Sequence, residues 1–206
     1  MFSGLVREIA KVKKFQNNIL YIQTPYKPKL GDSIAVNGAC LTVVTITSDG
    51  FGVELSKHTQ KCVAMENYHD LVHIEPALLA NSRLDGHFVQ GHIDSIGTIV
   101  NIIPNANQTD FIIKAPKDTL NLIIPQGSIT VDGISLTISE VFEDSFKLTI
   151  IPYTIKHTLI KNYKVNRRVN IETDILVRSI AHLLKKRDKN LKSNSWKEID
   201  SILLGY

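Results

Sequence analysis

The chain has 206 residues, of which 43% are hydrophobic and 21% charged, so a wholly disordered chain is excluded. The net charge of +4 is mild, and much of it falls in residues 184–192, a pattern typical of a solvated helix end. The two cysteines provide neither a disulfide framework nor a zinc-ligand spacing. The sequence has no apolar run long enough for a membrane-spanning helix. We expect a soluble, cytoplasmic protein without a signal peptide.

The first part of the chain follows β-strand patterns. Residues 33–47 alternate β-branched and polar positions around an Asn37–Gly38 turn, and residues 51–56 form a further strand pattern. Turn signals such as "KLGD" and "SDG" separate these segments. About six short strands are predicted in this part.

The landmarks of the first part recur in the second part in the same order. Residues 88–93 resemble residues 1–6, and 128–138 match 33–43; residues 149–154 fall where 53–59 fall, and 169–174 match 72–77. A duplication of this length indicates two similar domains. Because closure removes exposed strand edges, we predict an all-β fold. It consists of two tandem homologous six-stranded Greek-key closed barrels, residues 1–87 and 88–174.

The last part, residues 175–206, follows helical patterns. Leu176, Ile180, Leu183 and Leu184 share one helical face, and Ser195 with Glu198 forms a capping box that predicts a second short helix. This apolar stripe is either a lid on a barrel end or an oligomer contact. The role of residues 193–206 is left open.

Six segments, found in this order, carry a resemblance to riboflavin synthase of the alpha-chain type, with two lumazine-binding repeats: "MFSGLV", "NGACLTV", "GHFVQGHID", "VDGISLTI", "IPYT" and "VNIETD". The resemblance runs from Met1 to about Arg187. It implies dismutation of two molecules of 6,7-dimethyl-8-ribityllumazine to riboflavin and a ribitylamino-pyrimidinedione, with no metal or cofactor. It also implies a homotrimer whose site forms between the N-terminal barrel of one chain and the C-terminal barrel of another. Association with lumazine synthase is left open.

The two repeats differ at a position where chemistry is expected. Cys40 in the first repeat becomes Ser135 in the second. From spacing alone, Cys40 is a small buried apolar residue, whereas the resemblance implies a thiolate that adds to ring carbon C7 of lumazine or orients a water there. The resemblance makes Ser135 a proton relay, which needs a base within about 2.6–3.2 Å.

Two further positions distinguish the repeats. Asp174 stands where the first repeat has Ala77, and it suits both a catalytic acid and a helix N-cap. His92 matches Leu5, and the resemblance places it near the ligand of the second site, where it handles protons. We interpret His87 as structural.

The resemblance also implies the residues that bind substrate. Those of the first pocket are Gly4, Leu5, Val6, Leu41, Thr42, Glu54, Leu55, Ser56, Lys57, His58 and Thr59. Those of the second are Gly91, Ile93, Gln126, Leu136, Thr137, Ile151, Pro152, Tyr153, Thr154 and Ile155. Gln126, Tyr153 and His58 depart from the family pattern, and Gln126 replaces a ligand-contacting lysine of many relatives.

Two other functions compete with the enzyme. A relative that binds lumazine or flavin without turnover has the same barrels, but the presence of Ser135, Asp174 and His92 favours catalysis. Nucleic-acid binding requires aromatic residues interleaved with basic ones. With 7% aromatic residues and no such cluster, we expect no nucleic-acid partner.

Overall fold

The computed structural model describes residues 1–188. Its contacts divide the chain into two compact units, Met1–Asp174 and the residues from Ile175 onward. The first unit contains two closed six-stranded barrels. The predicted fold class is therefore confirmed.

The first barrel closes in the strand order β1-β2-β5-β4-β3-β6. Its strands are β1 (Glu8–Gln16), β2 (Ile19–Gln23), β3 (Ser33–Val36), β4 (Ala39–Thr47), β5 (Gly50–Glu54) and β6 (Leu71–Pro76). A short helix, α1 (Lys57–Cys62), and a 3₁₀ turn (Met65–Asn67) connect β5 to β6. Alternating side chains, with Leu20, Ile34 and Phe51 fully buried among them, fill the interior.

The second barrel closes in the order β10-β11-β8-β7-β12-β9. Its strands are β7 (Ser95–Asn105), β8 (Gln108–Lys114), β9 (Ser128–Val131), β10 (Ile134–Val141), β11 (Ser145–Ile150) and β12 (Arg168–Thr173). Helix α2 (Lys117–Leu120) follows β8, while α3 (Pro152–His157) and a 3₁₀ turn (Leu159–Asn162) follow β11. The predicted boundary between residues 87 and 88 lies between β6 and β7 and stays a prediction.

The segments after β5 and β11 are helical rather than extended. β5 ends at Glu54, and the Ser56 hydroxyl accepts a hydrogen bond from Thr59 N–H, which caps α1. β11 ends at Ile150, and Pro152 occupies the first turn of α3, where its missing N–H costs nothing. The predicted strand patterns, residues 51–56 in the first repeat and 146–152 in the second, each ran two residues too far.

The two barrels meet at their Asn-Gly and Asp-Gly turns. Asn37 and Asp132 have φ values of 44° and 45°, the left-handed conformation that such turns require. A Cβ on Gly38 would lie 2.7 Å from the Gly133 nitrogen, and one on Gly133 would lie 2.8 Å from the Gly38 nitrogen. Glycine is therefore required at both positions for the turns to touch.

The second unit is described as a helix, α4, over residues 175–188. Leu176, Ile180, Leu183 and Leu184 are exposed in the single chain, between 45% and 64% of their surface. The predicted capping box at Ser195 and Glu198 lies outside the described residues. Within residues 1–188, no helix is both long and apolar enough to cross a membrane.

Candidate functional site

The segments that precede the two barrels, residues 1–6 and 88–93, each pack against the barrel of the other repeat. We call them the first and second leading segments. Cys40 N–H of the first barrel donates to the Gly91 carbonyl at 2.8 Å, and Ser135 N–H of the second donates to the Gly4 carbonyl at 2.7 Å. Phe2 and Val89 form a bridge between the segments, with Phe2 N–H donating to the Val89 carbonyl at 2.7 Å. Cys40 and Ser135 are thus each covered by the leading segment of the other repeat.

A buried glutamate holds each leading segment to the last strand of its own repeat. Glu75 on β6 accepts hydrogen bonds from Ser3 N–H at 2.7 Å, the Ser3 hydroxyl at 2.8 Å and Gly4 N–H at 3.0 Å. Burial raises the pKa of Glu75, and the bonds from Ser3 and Gly4 oppose that rise. These contacts fix the position of Gly4 against Ser135.

Glu172 on β12 holds the second leading segment by hydrogen bonds, as Glu75 holds the first. It accepts from Gln90 N–H at 2.8 Å, Gly91 N–H at 2.9 Å and His92 N–H at 3.2 Å. A Cβ on Gly91 would lie only 2.6 Å from the Cys40 Cβ, so this close approach requires glycine. These hydrogen bonds to Glu172 place His92 beside the first barrel.

A cavity of about 220 Å³ lies beside Cys40. Helix α1 supplies one wall, and the exchanged segment supplies the opposite one; the lining residues are Ala39, Cys40, His58, Thr59, Cys62, Val63, Gly91, His92 and Ile93. His58 Nε2 lies 3.7 Å from Cys62 Sγ, one helical turn along α1. A thiol between two histidine-bearing walls suits a heterocycle rich in carbonyl and ring nitrogen atoms.

Ser135 has a hydrogen-bonded histidine beside it. Its Oγ lies 2.7 Å from Nδ1 of His87, and Nε2 of His87 lies 3.2 Å from Oγ1 of Thr130. Burial lowers the pKa of His87, and the charge of Asp174 opposes that effect. A neutral imidazole can accept the Ser135 proton at Nδ1 while Nε2–H donates to Thr130.

The matched positions around the two sites differ systematically in polarity. In the first barrel Cys40 packs with Phe2, Ala35, Val89 and Ala77. The second repeat replaces Ala35, Cys40 and Ala77 with Thr130, Ser135 and Asp174. Three apolar or weakly polar positions thus become three side chains with hydrogen-bonding groups around His87.

The leading segments lie beside the opposite sites from those that the sequence predicted. Gly4, Leu5 and Val6 were expected in the first pocket, but Gly4 covers Ser135 and Val6 packs against the second barrel's core. Gly91, His92 and Ile93 were expected at the second, but they line the Cys40 cavity. The exchange of segments between the repeats is the physical reason for both differences in placement, and ligand binding by these residues stays a prediction.

The other predicted binding residues lie where the repeat alignment places them, in equivalent elements of the two barrels. Leu41 and Leu55 are buried in the first core, Thr42 and Glu54 are exposed on adjacent strands, and Ser56 and Lys57 begin α1. In the second barrel, Leu136 and Ile155 pack against the core, Thr137 is exposed, and Ile151, Pro152, Tyr153 and Thr154 begin α3. Gln126 is exposed before β9.

Three residues of the site were missed by the sequence interpretation. His87, interpreted as structural, lies against Ser135, while Thr130 and Phe2 were not considered. The alignment of "SIAV" with "SITV" carried a signal for Thr130, since it replaces Ala35 in the repeat that also gains Ser135 and Asp174. Within residues 1–188, no three His, Cys, Asp or Glu side chains form a metal-binding group.

Comparison with known proteins agrees with the duplicated architecture. The family model "Lumazine binding domain" matches twice, over residues 3–77 and 90–174. Riboflavin synthase of Actinobacillus pleuropneumoniae is 38% identical over 204 residues, covering 94% of this chain and 95% of that protein. The chain belongs to the riboflavin synthase family of lumazine-binding proteins.

A second relative agrees with this placement, and a solved structure agrees with the fold. Riboflavin synthase of Bacillus subtilis (strain 168) is 33% identical over 199 residues, covering 92% of this chain and 93% of that family member. The crystal structure of LumP complexed with riboflavin superposes with a TM-score of 0.77 at 24% identity, covering 84% of this chain and 99% of LumP. At 24% identity, the superposition with LumP supports the fold alone.

Proposed function

We propose that this chain is a riboflavin synthase, a transferase that dismutates two molecules of 6,7-dimethyl-8-ribityllumazine. A four-carbon unit passes from one lumazine to the other and gives riboflavin and 5-amino-6-ribitylamino-pyrimidinedione, the last step of riboflavin biosynthesis. The two substrate molecules together contain every atom of the two products. The reaction therefore balances without an added oxidant or reductant.

One observation carries this proposal: two sites of common origin have different chemistry. Ser135 has His87, Thr130 and Asp174 around it, whereas Cys40 packs against apolar side chains and lines a cavity with His58, Thr59 and His92. A reaction between two identical molecules needs two pockets that recognise the same compound but act on it differently. A duplicated binding domain with one polar and one thiol site meets that requirement.

We assign proton transfer to the Ser135 site. Neutral His87 accepts the Ser135 proton, and the hydroxyl relays protons to and from the lumazine, the C7 methyl group being the first expected site of deprotonation. The ring delocalises the resulting negative charge, so much of the activation resides in the substrate. The enzyme adds proximity of the two molecules in oriented pockets.

We assign addition at C7 to the first pocket. The Cys40 thiolate adds to ring carbon C7 of the lumazine there, or orients the water that adds, with His92 beside it. The remaining predicted residues around each pocket bind the ring and the ribityl chain, with Gly4, Leu5 and Val6 now assigned to the second pocket. We further propose a cytoplasmic homotrimer that pairs the first pocket of one chain with the second pocket of a neighbour, and an association with lumazine synthase.

Turnover by the purified chain tests this function. The chain is mixed with 6,7-dimethyl-8-ribityllumazine alone, and loss of lumazine and appearance of riboflavin are followed by absorbance. We expect two lumazines to be consumed for each riboflavin formed. Ser135→Ala should lower kcat about a hundredfold, the usual size of a lost acid–base group. Ser139→Ala, on the same strand, is the matched control and should retain the rate.

A non-catalytic lumazine- or flavin-binding protein is the second candidate. The superposition with LumP favours it as far as the fold goes. Tight binding of lumazine without turnover by the wild-type chain would establish this alternative and overturn the synthase proposal. In that case Ser135→Ala would alter affinity and have no rate to change.

A further inference from the structure

Each barrel carries a cap that follows its fifth strand. We define the first cap as residues 57–67 and the second cap as residues 152–162; each contains a short helix and a 3₁₀ turn. The first cap lines the Cys40 cavity through Thr59, Cys62 and Val63. The second cap occupies the equivalent place on the second barrel, and its Leu159 and Ile160 are buried in that barrel's core.

A buried histidine of the first barrel holds the second cap. His73 on β6 is 2% exposed, and its Nε2 accepts a hydrogen bond from Leu159 N–H at 2.7 Å. Its Nδ1 lies 3.0 Å from the Asp132 carbonyl oxygen. Because a peptide N–H only donates and a carbonyl only accepts, the proton must reside on Nδ1 and the ring must be neutral. His73 therefore bridges the second cap to the turn between β9 and β10.

A buried asparagine of the second barrel holds the first cap in the same way. Asn170 on β12 is fully buried; its Oδ1 accepts from Ala64 N–H at 2.8 Å, and its Nδ2 donates to the Asn37 carbonyl at 2.8 Å. Asn67 adds a bond from the first cap to the Arg168 carbonyl at 2.8 Å. Asn170 and His73 occupy matched positions in "VNIE" and "VHIE", so two different side chains make the same pair of bonds.

We propose that His73 and Asn170 are positioning residues that hold the ligand-pocket cap of the opposite barrel, so that the two pockets of one chain are coupled crosswise. This proposal rests on the proposed function for the identity of the ligand and for the presence of a ligand pocket at the second cap. A substitution in either barrel should loosen the pocket of the other barrel first. The second leading segment already places one wall of the Cys40 cavity in the other repeat. The cap contacts extend that dependence to the opposite wall.

Hydrogen exchange followed by mass spectrometry tests the crosswise pattern in the full-length chain. His73→Leu should increase exchange in peptides of the second cap, beginning at Leu159, and leave the first cap near the wild-type rate. Asn170→Leu should give the reverse. His73→Asn should preserve exchange in both caps, because an amide makes both bonds at the matched position. Riboflavin titration should show about tenfold weaker binding at one of two sites in each leucine variant, the effect of one lost buried hydrogen bond.

Exchange that rises only in the cap of the substituted residue's own barrel, or equally across both barrels, would overturn the proposal. The wild-type chain supplies a test that does not depend on the folding of a variant: the Leu159 and Ala64 amides should exchange as slowly as those of β6 and β12. Fast exchange at either amide would also overturn it. Absence of riboflavin formation by the wild type would remove the proposed function and leave these exchange results unaffected.

Discussion

We expect the wild-type chain to lose stability between pH 7 and pH 5, and His73→Asn should reduce that loss. Burial lowers the pKa of His73 from 6.5 to about 4, the bond to Asp132 opposes this, and the charge of Arg167 adds to the lowering. The unfolded chain therefore binds a proton at pH 5 that the folded chain does not, and unfolding becomes easier as the pH falls from about 6.5 towards 4. From these two pKa values, His73 costs about 2 kcal/mol of stability at pH 5 and almost nothing at pH 7.

Urea unfolding of both proteins at pH 7 and pH 5, at one protein concentration, measures this effect. The other buried groups, among them Asp132, Glu75 and His87, are present in both proteins, so their titration cancels when the pH effect of the variant is subtracted from that of the wild type. We expect a difference of about 2 kcal/mol between the two pH effects. Equal losses in the two proteins would refute the inference that a neutral His73 is required by Leu159 N–H.

Three further substitutions test the sites. Asp174→Asn removes the charge that raises the pKa of His87, so the acid limb of kcat/KM should move to lower pH; an unchanged or higher limb would exclude His87 as the titrating base. Gln126→Gly should stabilise the chain by about 0.5 kcal/mol in urea unfolding, because Gln126 has a φ of 64° where the first repeat has Gly31; riboflavin affinity should fall, and unchanged affinity would contradict the predicted ligand contact. Glu172→Gln should lower the free energy of unfolding by about 2 kcal/mol, since three N–H groups lose a charged acceptor. It should also weaken ligand binding in the Cys40 cavity. Equal riboflavin affinity of the variant and the wild type in calorimetric titration would show that Glu172 has no role in binding.

Much of the fold was predictable because its signals are local. Asn37–Gly38 and Asp132–Gly133 lie in turns that only a few residue types can form, and the flanking alternation specifies strands that close into barrels. The duplication also identified Cys40 and Ser135 as matched positions. The ends of β5 and β11 were placed two residues too late, because apolar residues after a strand fit the first turn of a helix as well as extended chain.

The contacts between the repeats were not predictable from the alignment. A repeat comparison says that Gly4 matches Gly91 and that Cys40 matches Ser135, but both the exchanged and the unexchanged arrangement satisfy it. Packing decided between them: Gly91 approaches Cys40 and Gly4 approaches Ser135, each at a distance that only glycine permits. His92 consequently lies at the Cys40 cavity.

The duplication, the barrel class, the family and the change from Cys40 to Ser135 could all be predicted from the amino-acid sequence, because each depends on residues that are close together in the chain. The pairing of His87 with Ser135, and the contacts of His73 and Asn170 with the opposite caps, became visible in the folded chain. These contacts join residues far apart in the chain. They depend on how two similar surfaces meet, which local patterns do not specify.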